Sequence, residues 1–247
     1  RDDASGQFFM RISWDLADFA LDREAFRRAF DGEVARRFAM YWRVEYSGVP
    51  LRVAVFVSRY LHCFADLLHR LHAGELQAEV PLIVSNHEEA RKHAAFYGIP
   101  FHHIAVSAAG KAEAEARQLA LLEENAIDLV VLARYMQVLS REFVARFPGR
   151  VINVHHSFLP AFSGAKPYHA AFERGVKLIG ATAHYVTEIL DDGPIIEQEV
   201  IRVSHRDQLD DLVEKGRDAE RTVLSRAVRW HLEHRVLLYG NKTVVFV

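Results

Sequence analysis

Polar side chains interrupt an apolar run around residue 153. The segment from Val151 to Ser157 begins as a buried strand and ends in an amide, two imidazoles and a hydroxyl. In open α/β sheets, ligands bind beyond the carboxyl ends of the strands. Because side chains alternate along a strand, Asn153 and His155 lie on the same side of it. The pattern predicts a functional site, although a hydrogen-bonded turn would use the same residue types.

A second polar cluster lies downstream, where Asp191 and Asp192 precede Gly193-Pro194 between two apolar strands. An ordinary acidic turn has the same composition. With Asn153 and His155, however, a carboxylate suits attack on a carbonyl group. The carboxylate can act as a general base or hold a water, and the amide and a protonated imidazole can donate to the developing oxyanion. His184, in the preceding apolar strand, is a fourth candidate in a supporting role, or else a hydrogen-bonded core histidine.

Two other chemistries fit the sequence less well. Fourteen histidines invite a metal site, but His155 and His156 are adjacent and point to opposite faces of a strand, and no HExxH pattern is present. Ser157 follows these histidines without the GxSxG elbow of a serine nucleophile. The turn Ser58–Cys63 after the first strand of the α/β part carries neither a GxGxxG nor a Walker pattern. We therefore predict no metal and no required cofactor.

Composition limits the partners and the location. The 31 Lys plus Arg nearly balance the 33 Asp plus Glu, so we expect no nucleic-acid partner. The longest apolar runs are too short to span a bilayer, and no secretory signal precedes the first strand. The single cysteine, Cys63, excludes an internal disulfide and a cysteine-cluster zinc site. We therefore predict a cytoplasmic protein without a membrane partner.

From residue 51 onward, strands alternate with helices. The predicted strands are Arg52–Ser58, Val80–Val84, Phe101–Ile104, Asp128–Ala133 and Arg150–Val154, with helices between them. This alternation predicts an α/β domain over residues 51–247 with a doubly wound, mostly parallel sheet. Two further strands, Ile179–Val186 and Ile195–Val203, are close enough to pair as a hairpin. A helix from about Gln208 to His234 and a β-hairpin complete the chain.

Residues 1–46 have a different pattern. Strands are predicted over Gln7–Trp14 and Tyr41–Tyr46, with an amphipathic helix over Asp22–Phe38 between them. These elements are too few for a core, so we interpret them as the second half of a small α+β domain whose first half is missing. Residues 47–50 form the predicted linker.

The two polar motifs together resemble the formyltransferase superfamily that uses 10-formyltetrahydrofolate. In that superfamily, Asn-x-His precedes a Ser-Leu-Leu-Pro-like turn, and a Leu-Asp-x-Gly-Pro segment follows downstream. Here the first motif runs from Asn153 to Pro160 and the second from Leu190 to Pro194. The resemblance implies a formyltransferase-like, Rossmann-type sheet.

The resemblance narrows to the branch of the superfamily that passes the formyl group to water. Four stretches are similar to that branch: His155–Phe162, Ala165–His169, Lys215–Asp218 and Tyr239–Thr243. The turn Ser58–Cys63 also lacks the glycines with which related transferases bind the phosphate of their acceptor. We interpret Cys63 and His62 as lining the water side of the site, without facing each other.

The implied activity is hydrolysis of 10-formyltetrahydrofolate to formate and tetrahydrofolate, which would balance the one-carbon pool and supply formate for purine synthesis. The resemblance assigns Asn153 and His155 to the formyl oxygen and the tetrahedral intermediate. It assigns Asp191 to orienting the water, taking its proton and keeping His155 protonated. The alternatives are formyl transfer to a small amine, and a non-enzymatic amino-acid-binding regulatory protein.

The resemblance also implies a set of substrate-binding residues. Residues 134–139 match the segment that lines the pterin pocket, although apolar side chains there also suit a core. Arg134 and Lys166 are expected to meet the glutamate tail of the folate. The full set of candidates is Arg134, Tyr135, Met136, Gln137, Val138, Leu139, His156, Ser157, Lys166, Thr187 and Glu188.

Residues 1–46 resemble the second half of an ACT-type regulatory domain. Such domains pair edge to edge across subunits, so the resemblance implies a homo-oligomer. It also implies an amino-acid effector, glycine or methionine.

Overall fold

A computed structural model describes residues 1–3, 5–160 and 167–247. Its contacts divide the chain into two compact units. The first comprises residues 1–49 with Phe246, and the second comprises residues 50–245 with Val247. The division falls between residues 49 and 50, and the two units are described separately.

The small unit is built around one short helix. Helix α1 (Arg23–Phe30) begins where the Asp22 carboxylate accepts a hydrogen bond from the Ala25 amide, and it continues as a π-helix over Asp31–Ala35. One face of α1 stacks aromatic rings, with 5.3 Å between the centroids of Trp14 and Phe26. The predicted helix is therefore present, but it ends before the expected residue Phe38.

The predicted strands Gln7–Trp14 and Tyr41–Tyr46 are wrong. Among the described residues of this unit, the only β-pairing is an isolated bridge between Asp2 and Gln7. A strand needs a neighbour for its backbone N–H and C=O groups, and no β-ladder is formed by the described residues of the two segments. The alternating side chains of Phe8 and Ile12 are 73% and 61% exposed. Both segments contain the residues that favour β-structure, but neither range is part of a β-ladder.

A seven-stranded sheet forms the centre of the large unit, in the order β3-β2-β1-β4-β5-β6-β7. The first five strands are parallel, β6 is antiparallel to β5, and β7 is antiparallel to β6. This arrangement confirms the doubly wound, mostly parallel sheet. The strands are β1 (Leu51–Val57), β2 (Ala78–Ser85), β3 (Phe101–His103), β4 (Leu129–Ala133), β5 (Val151–His155), β6 (Leu178–Tyr185) and β7 (Ile195–Arg202).

Helices cover both faces of this sheet. They are α2 (His62–His72), α3 (Arg91–Phe96), α4 (Lys111–Glu124), α5 (Arg141–Arg146), α6 (Pro167–Arg174) and α7 (Leu209–Leu232). Along β1, Val53, Val55 and Val57 join one core with residues of α2 and α7. Ala54 and Phe56 join the other core with residues of α4 and α5. A strand covered on both faces needs apolar residues at every position, which explains the continuous apolar run.

The chain ends in a separate two-stranded hairpin, β8 (Val236–Tyr239) and β9 (Lys242–Val245). It agrees with the predicted hairpin, as β6 and β7 agree with the predicted antiparallel pair. No helix within the described ranges is long and apolar enough to cross a membrane.

The core on the α5 side offers a matched test of stability. Phe143 is fully buried against the ring of Phe56, whereas Phe96 is 81% exposed. We expect Phe143→Ala to lower the free energy of unfolding by about 3–5 kcal/mol, because it removes a buried ring and leaves a cavity. Phe96→Ala should change it by less than about 0.5 kcal/mol. Urea denaturation measures both, and similar losses in the two variants would contradict this packing.

Candidate active site

The pairing of β5 with β6 sets the geometry of the site. In the register of this antiparallel pair, Asn153 lies opposite His184 and His155 lies opposite Thr182. The connection between β6 and β7 then brings Asp191 back to the end of β5. The sheet therefore brings together the four candidate catalytic residues, which are up to 38 positions apart in the sequence.

These four side chains form a contiguous polar group. Nδ1 of His155 lies 3.2 Å from Oδ2 of Asp191, and Nε2 of His184 lies 3.7 Å from Oδ1 of the same carboxylate. Nδ2 of Asn153 lies 3.3 Å from Nε2 of His184. The side chains of His155 and His184 are 6% and 2% exposed, and that of Asp191 is 16% exposed. A carboxylate in contact with two imidazoles is thus open to solvent at one edge only.

The surroundings of Asp191 stabilise its ionised form. The hydrogen bond from His155, followed by the contact with His184, holds the pKa of this carboxyl well below its ordinary value, against the opposing effect of burial. The backbone of Asp191 is left-handed, with φ of 55°, a conformation that Asp tolerates better than most residues. Two residues on, a Cβ at Gly193 would lie 1.7 Å from the carbonyl oxygen of Tyr185, so only glycine fits this close approach.

His184 fixes the position of the Asn153 side chain. Its Nδ1 lies 2.9 Å from the carbonyl oxygen of Tyr185, so Nδ1 carries the hydrogen and donates it. The other ring nitrogen, Nε2, contacts the Asn153 amide and lies 3.7 Å from the Asp191 carboxylate. The Asn153 amide keeps its second N–H for another acceptor. The sequence allowed either a supporting role or a core role for His184. The two are compatible here, because this buried, hydrogen-bonded histidine also orients Asn153.

His155 retains one position that its neighbours leave open. Its Nε2 is buried and has no hydrogen-bond partner among the residues that the structure describes. Buried polar atoms usually have a partner, so such an atom beside an ionised carboxylate indicates a place for a ligand atom.

The loop after β5 is fixed by side chains that the sequence did not single out. The hydroxyl of Thr182 donates to the carbonyl of Ser157 and accepts from the amide of Leu159. The Gln198 amide donates to that hydroxyl and to the Leu159 carbonyl. Thr182 and Gln198 belong to β6 and β7, where a single threonine or glutamine is not distinctive in the sequence.

The Asp191 loop is held from outside by the terminal hairpin. The Asn241 side chain donates to the carbonyl of Asp192 at 2.8 Å, and the Thr243 hydroxyl donates to the carbonyl of Ile195 at 2.6 Å. Both lie in the stretch Tyr239–Thr243, which resembles the same branch of the superfamily but had no predicted role.

An exposed apolar surface borders the site. Met136 and Val138 are 46% and 55% exposed, and Ile189 and Leu190, in the loop that carries Asp191, are each 65% exposed. Gln137 and Leu139 are half-buried. Exposed apolar side chains of this kind can pack against a planar ring, so Met136 and Val138 remain candidates for contact with the pterin.

Other candidates are engaged elsewhere. Tyr135 is a core residue that packs edge to face against Phe56, and burial raises its pKa to about 12 although Gln118 donates to its hydroxyl. Arg134 is buried against Glu220, and its role at the glutamate tail stays a prediction. His156 is buried beside His155.

The remaining candidates make local contacts. The carbonyl of Ser157 accepts from Thr182, and the hydroxyl of Thr187 donates to the carbonyl of Ile189. The exposed Glu188 accepts from Arg141. Lys166 lies outside the described residues.

Three potential metal ligands lie close together outside the group formed by Asn153, His155, His184 and Asp191. Ligand atoms of His62, Cys63 and Glu220 lie within 4.8 Å of one another, so the expectation that His62 and Cys63 do not face each other is wrong. The first turn of α2 brings both toward α7. Burial, followed by the charge of Glu220, raises the pKa of the Cys63 thiol, and Arg134 lies 3.3 Å from the Glu220 carboxylate. A protonated thiol and a neighbouring guanidinium both disfavour a bound cation.

Residues 51–228 match the family described as formyl transferase. The chain therefore belongs to the formyl transferase family, and the matched range contains the whole group of Asn153, His155, His184 and Asp191.

Proteins similar to this chain carry a more specific name. The chain is 52% identical over 245 residues to the formyltetrahydrofolate deformylase of Synechocystis sp., covering 99% of this chain and 86% of that protein. It is 51% identical to the enzyme of the same name from Bacillus subtilis, again over 99% of this chain and 81% of that protein. The crystal structure of a formyltetrahydrofolate deformylase from Pseudomonas syringae superimposes with a TM-score of 0.89 at 50% identity, covering 92% of this chain and 76% of that one.

The contacts of Asp191 predict its titration. Because its pKa is depressed, the ionised carboxylate stabilises the folded protein above the unfolded-state pKa of about 4, and this contribution is lost only as the pH falls through the lower folded value. We expect the carboxyl carbon of Asp191 to show no titration between pH 7 and 4 by NMR. His155→Ala should raise its pKa more than His184→Ala does, and the reverse order would contradict the assigned contacts.

The hairpin predicts a remote effect on the site. Asn241→Ala removes the donor to the Asp192 carbonyl, so we expect the Asp191 loop to shift and turnover to fall roughly 10-fold to 100-fold, with little change in KM. Lys242→Ala, at the next position and on the exposed surface, is the control and should leave turnover unchanged. Equal activity of the two variants would show that the hairpin does not position Asp191.

Proposed function

We propose that this protein hydrolyses 10-formyltetrahydrofolate to formate and tetrahydrofolate. The observation that carries the proposal is the contact of Asp191 with His155, beside Asn153, in a chain about half identical over nearly its full length to deformylases of that name. Formate release balances the one-carbon pool and supplies formate for purine synthesis.

In the proposed reaction, Asp191 holds the attacking water and accepts its proton. The ionised state of this carboxylate suits a group that must take up a proton. The water oxygen bonds to the formyl carbon, and the carbonyl oxygen becomes an oxyanion. Collapse of the tetrahedral intermediate breaks the bond to N10, which takes up the proton held by Asp191. The formic acid that leaves loses its own proton to water and becomes formate.

Two donors stabilise the oxyanion in this proposal. Protonated His155 donates through Nδ1 to Asp191 and through Nε2 to the oxyanion, which gives the buried Nε2 a partner. The remaining N–H of Asn153 is the second donor, with His184 fixing the orientation of the amide. No metal or cofactor takes part in these steps.

The pterin binds on the apolar side of the group, against Met136, Val138 and the loop that contains Ile189 and Leu190. These exposed side chains supply apolar area for a planar ring. Formyl transfer to a small amine remains the second candidate, because its chemistry requires the same oxyanion donors, but the deformylase relatives do not favour it.

We further propose that residues 1–46 are part of an ACT-like regulatory domain, with glycine or methionine as effector. The alternating exposed residues Phe8, Met10, Ile12 and Trp14 support it, because such a row of apolar side chains suits coverage by another sheet-forming segment. In this proposal a second subunit provides the covering segment, so the protein is a homo-oligomer. A cytoplasmic location fits the single buried free cysteine.

Formate release from 10-formyltetrahydrofolate, with no amine added and a chelator present, tests the activity. We expect wild type to be active and Asp191→Asn to lose roughly 10²-fold to 10⁴-fold, because the amide cannot accept the proton from water. Asp192→Asn, at the exposed neighbouring position, is the matched control and should retain activity. Formate release only after an amine is supplied would replace the hydrolase with the transferase.

A further inference from the structure

Residues 135–140 lie between β4 and α5 and have no regular secondary structure. Within the part of the chain that the structure describes, the backbone N–H and C=O groups of Gln137, Val138 and Leu139 form no hydrogen bond with other backbone groups. A stretch of this kind keeps one position only if side chains of neighbouring elements hold it. We call it the 135–140 segment.

Two side chains hold the backbone of the 135–140 segment, one at each end. The Ser58 hydroxyl, which follows β1, accepts a hydrogen bond from the Met136 amide at 3.0 Å and donates to Oδ1 of Asn86 at 2.6 Å. Oε1 of Glu115, on α4, accepts from the Ser140 amide at 2.9 Å. Ser58, Asn86 and Glu115 are 2%, 8% and 7% exposed, so these hydrogen bonds are shielded from water.

The buried face of α4 is polar where it meets the segment. Glu115 and Gln118 are three residues apart, so they lie on the same side of the helix. Gln118 is fully buried, and its Nε2 donates to the Tyr135 hydroxyl at 2.9 Å. About two turns further on, the same helix buries Leu122 in the apolar core. Burying polar side chains is unfavourable unless they are hydrogen-bonded, and apolar residues at both positions would serve packing alone.

The segment held in this way presents two side chains to the apolar side of the site. Met136 and Val138 are 46% and 55% exposed, and the pterin is proposed to bind against them. Ser58 and Glu115 are themselves too deeply buried to offer the pterin a surface. Any effect that they have on the substrate must therefore pass through the position of the segment.

We propose that Ser58 and Glu115 are positioning residues that set the affinity for the folate substrate, by holding the 135–140 segment where the pterin meets it. The inference rests on the proposed function and deepens it. The pterin keeps its contacts with Met136 and Val138 throughout the reaction, because the bonds that change are those of the formyl carbon. Loss of one hydrogen bond to the segment weakens the ground state and the transition state alike, which raises KM and leaves turnover unchanged.

The first test replaces Glu115 by side chains of similar size that differ in hydrogen bonding. Glu115→Leu lacks an acceptor for the Ser140 amide, whereas Glu115→Gln keeps an oxygen there. Leu122→Ala is the matched control, because it removes a fully buried side chain from the same helix without removing a hydrogen bond to the segment. KM and turnover for formate release, and unfolding by urea, are measured for wild type and the three variants.

We expect KM for 10-formyltetrahydrofolate to rise about 10-fold in Glu115→Leu, since a buried amide loses its acceptor, with turnover within about 2-fold of wild type. The inhibition constant of the product, tetrahydrofolate, should rise by the same factor. Glu115→Gln should keep the wild-type KM, and Leu122→Ala should lose stability without a change in KM. An unchanged KM in Glu115→Leu, or an equal rise in either of the other variants, would overturn the inference.

Ser58→Ala tests the other end of the segment and decides the question if Glu115→Leu does not fold. It removes the acceptor of the Met136 amide and nothing larger than a hydroxyl. Ser107→Ala is its control, an exposed serine whose hydroxyl accepts from the Gly110 amide, and it should keep the wild-type KM. We expect KM to rise about 10-fold in Ser58→Ala, and the wild-type value there would refute the inference. Wild type that releases no formate would instead refute the proposed function itself.

Discussion

The contact of the Asp191 carboxylate with two imidazoles is the interaction on which the site depends. The contacts with His155 and His184 keep this carboxylate ionised. In the proposed reaction, the carboxylate accepts a proton from water, and His155 beside it donates to the oxyanion. Neither would have its function alone, because a lone buried imidazole resists protonation and a lone buried carboxylate resists ionisation.

The fold fixes this contact through one change of strand direction. Four parallel pairings give way at β5 to an antiparallel β6, which turns the Asn153–His184 pair to face each other and returns the Asp191 loop to the end of β5. Gly193 permits the close passage of that loop past the Tyr185 carbonyl, and Asn241 ties it to the terminal hairpin.

Much of this could be predicted from the sequence, for reasons specific to each segment. Strands covered on both faces must be apolar throughout, so β1 and β4 were evident, and the side chains at the end of β5 were conspicuous because they interrupt such a run. The predicted strands at Gln7–Trp14 and Tyr41–Tyr46 failed because alternation indicates a surface to be covered and does not supply the partner strand. Glu220 was missed since a glutamate on a long amphipathic helix normally faces solvent, and only the fold brings Arg134 and His62 to it.

The most direct test of the account is the origin of the second oxygen atom of formate. A single turnover of 10-formyltetrahydrofolate by the wild-type protein would be run in isotopically labelled water, and the formate analysed by mass spectrometry. Direct attack of water on the formyl carbon predicts that each formate molecule carries one labelled oxygen atom. Unlabelled formate would contradict the account, because the formyl carbon would then have taken its new oxygen from a source other than the water that Asp191 is proposed to activate.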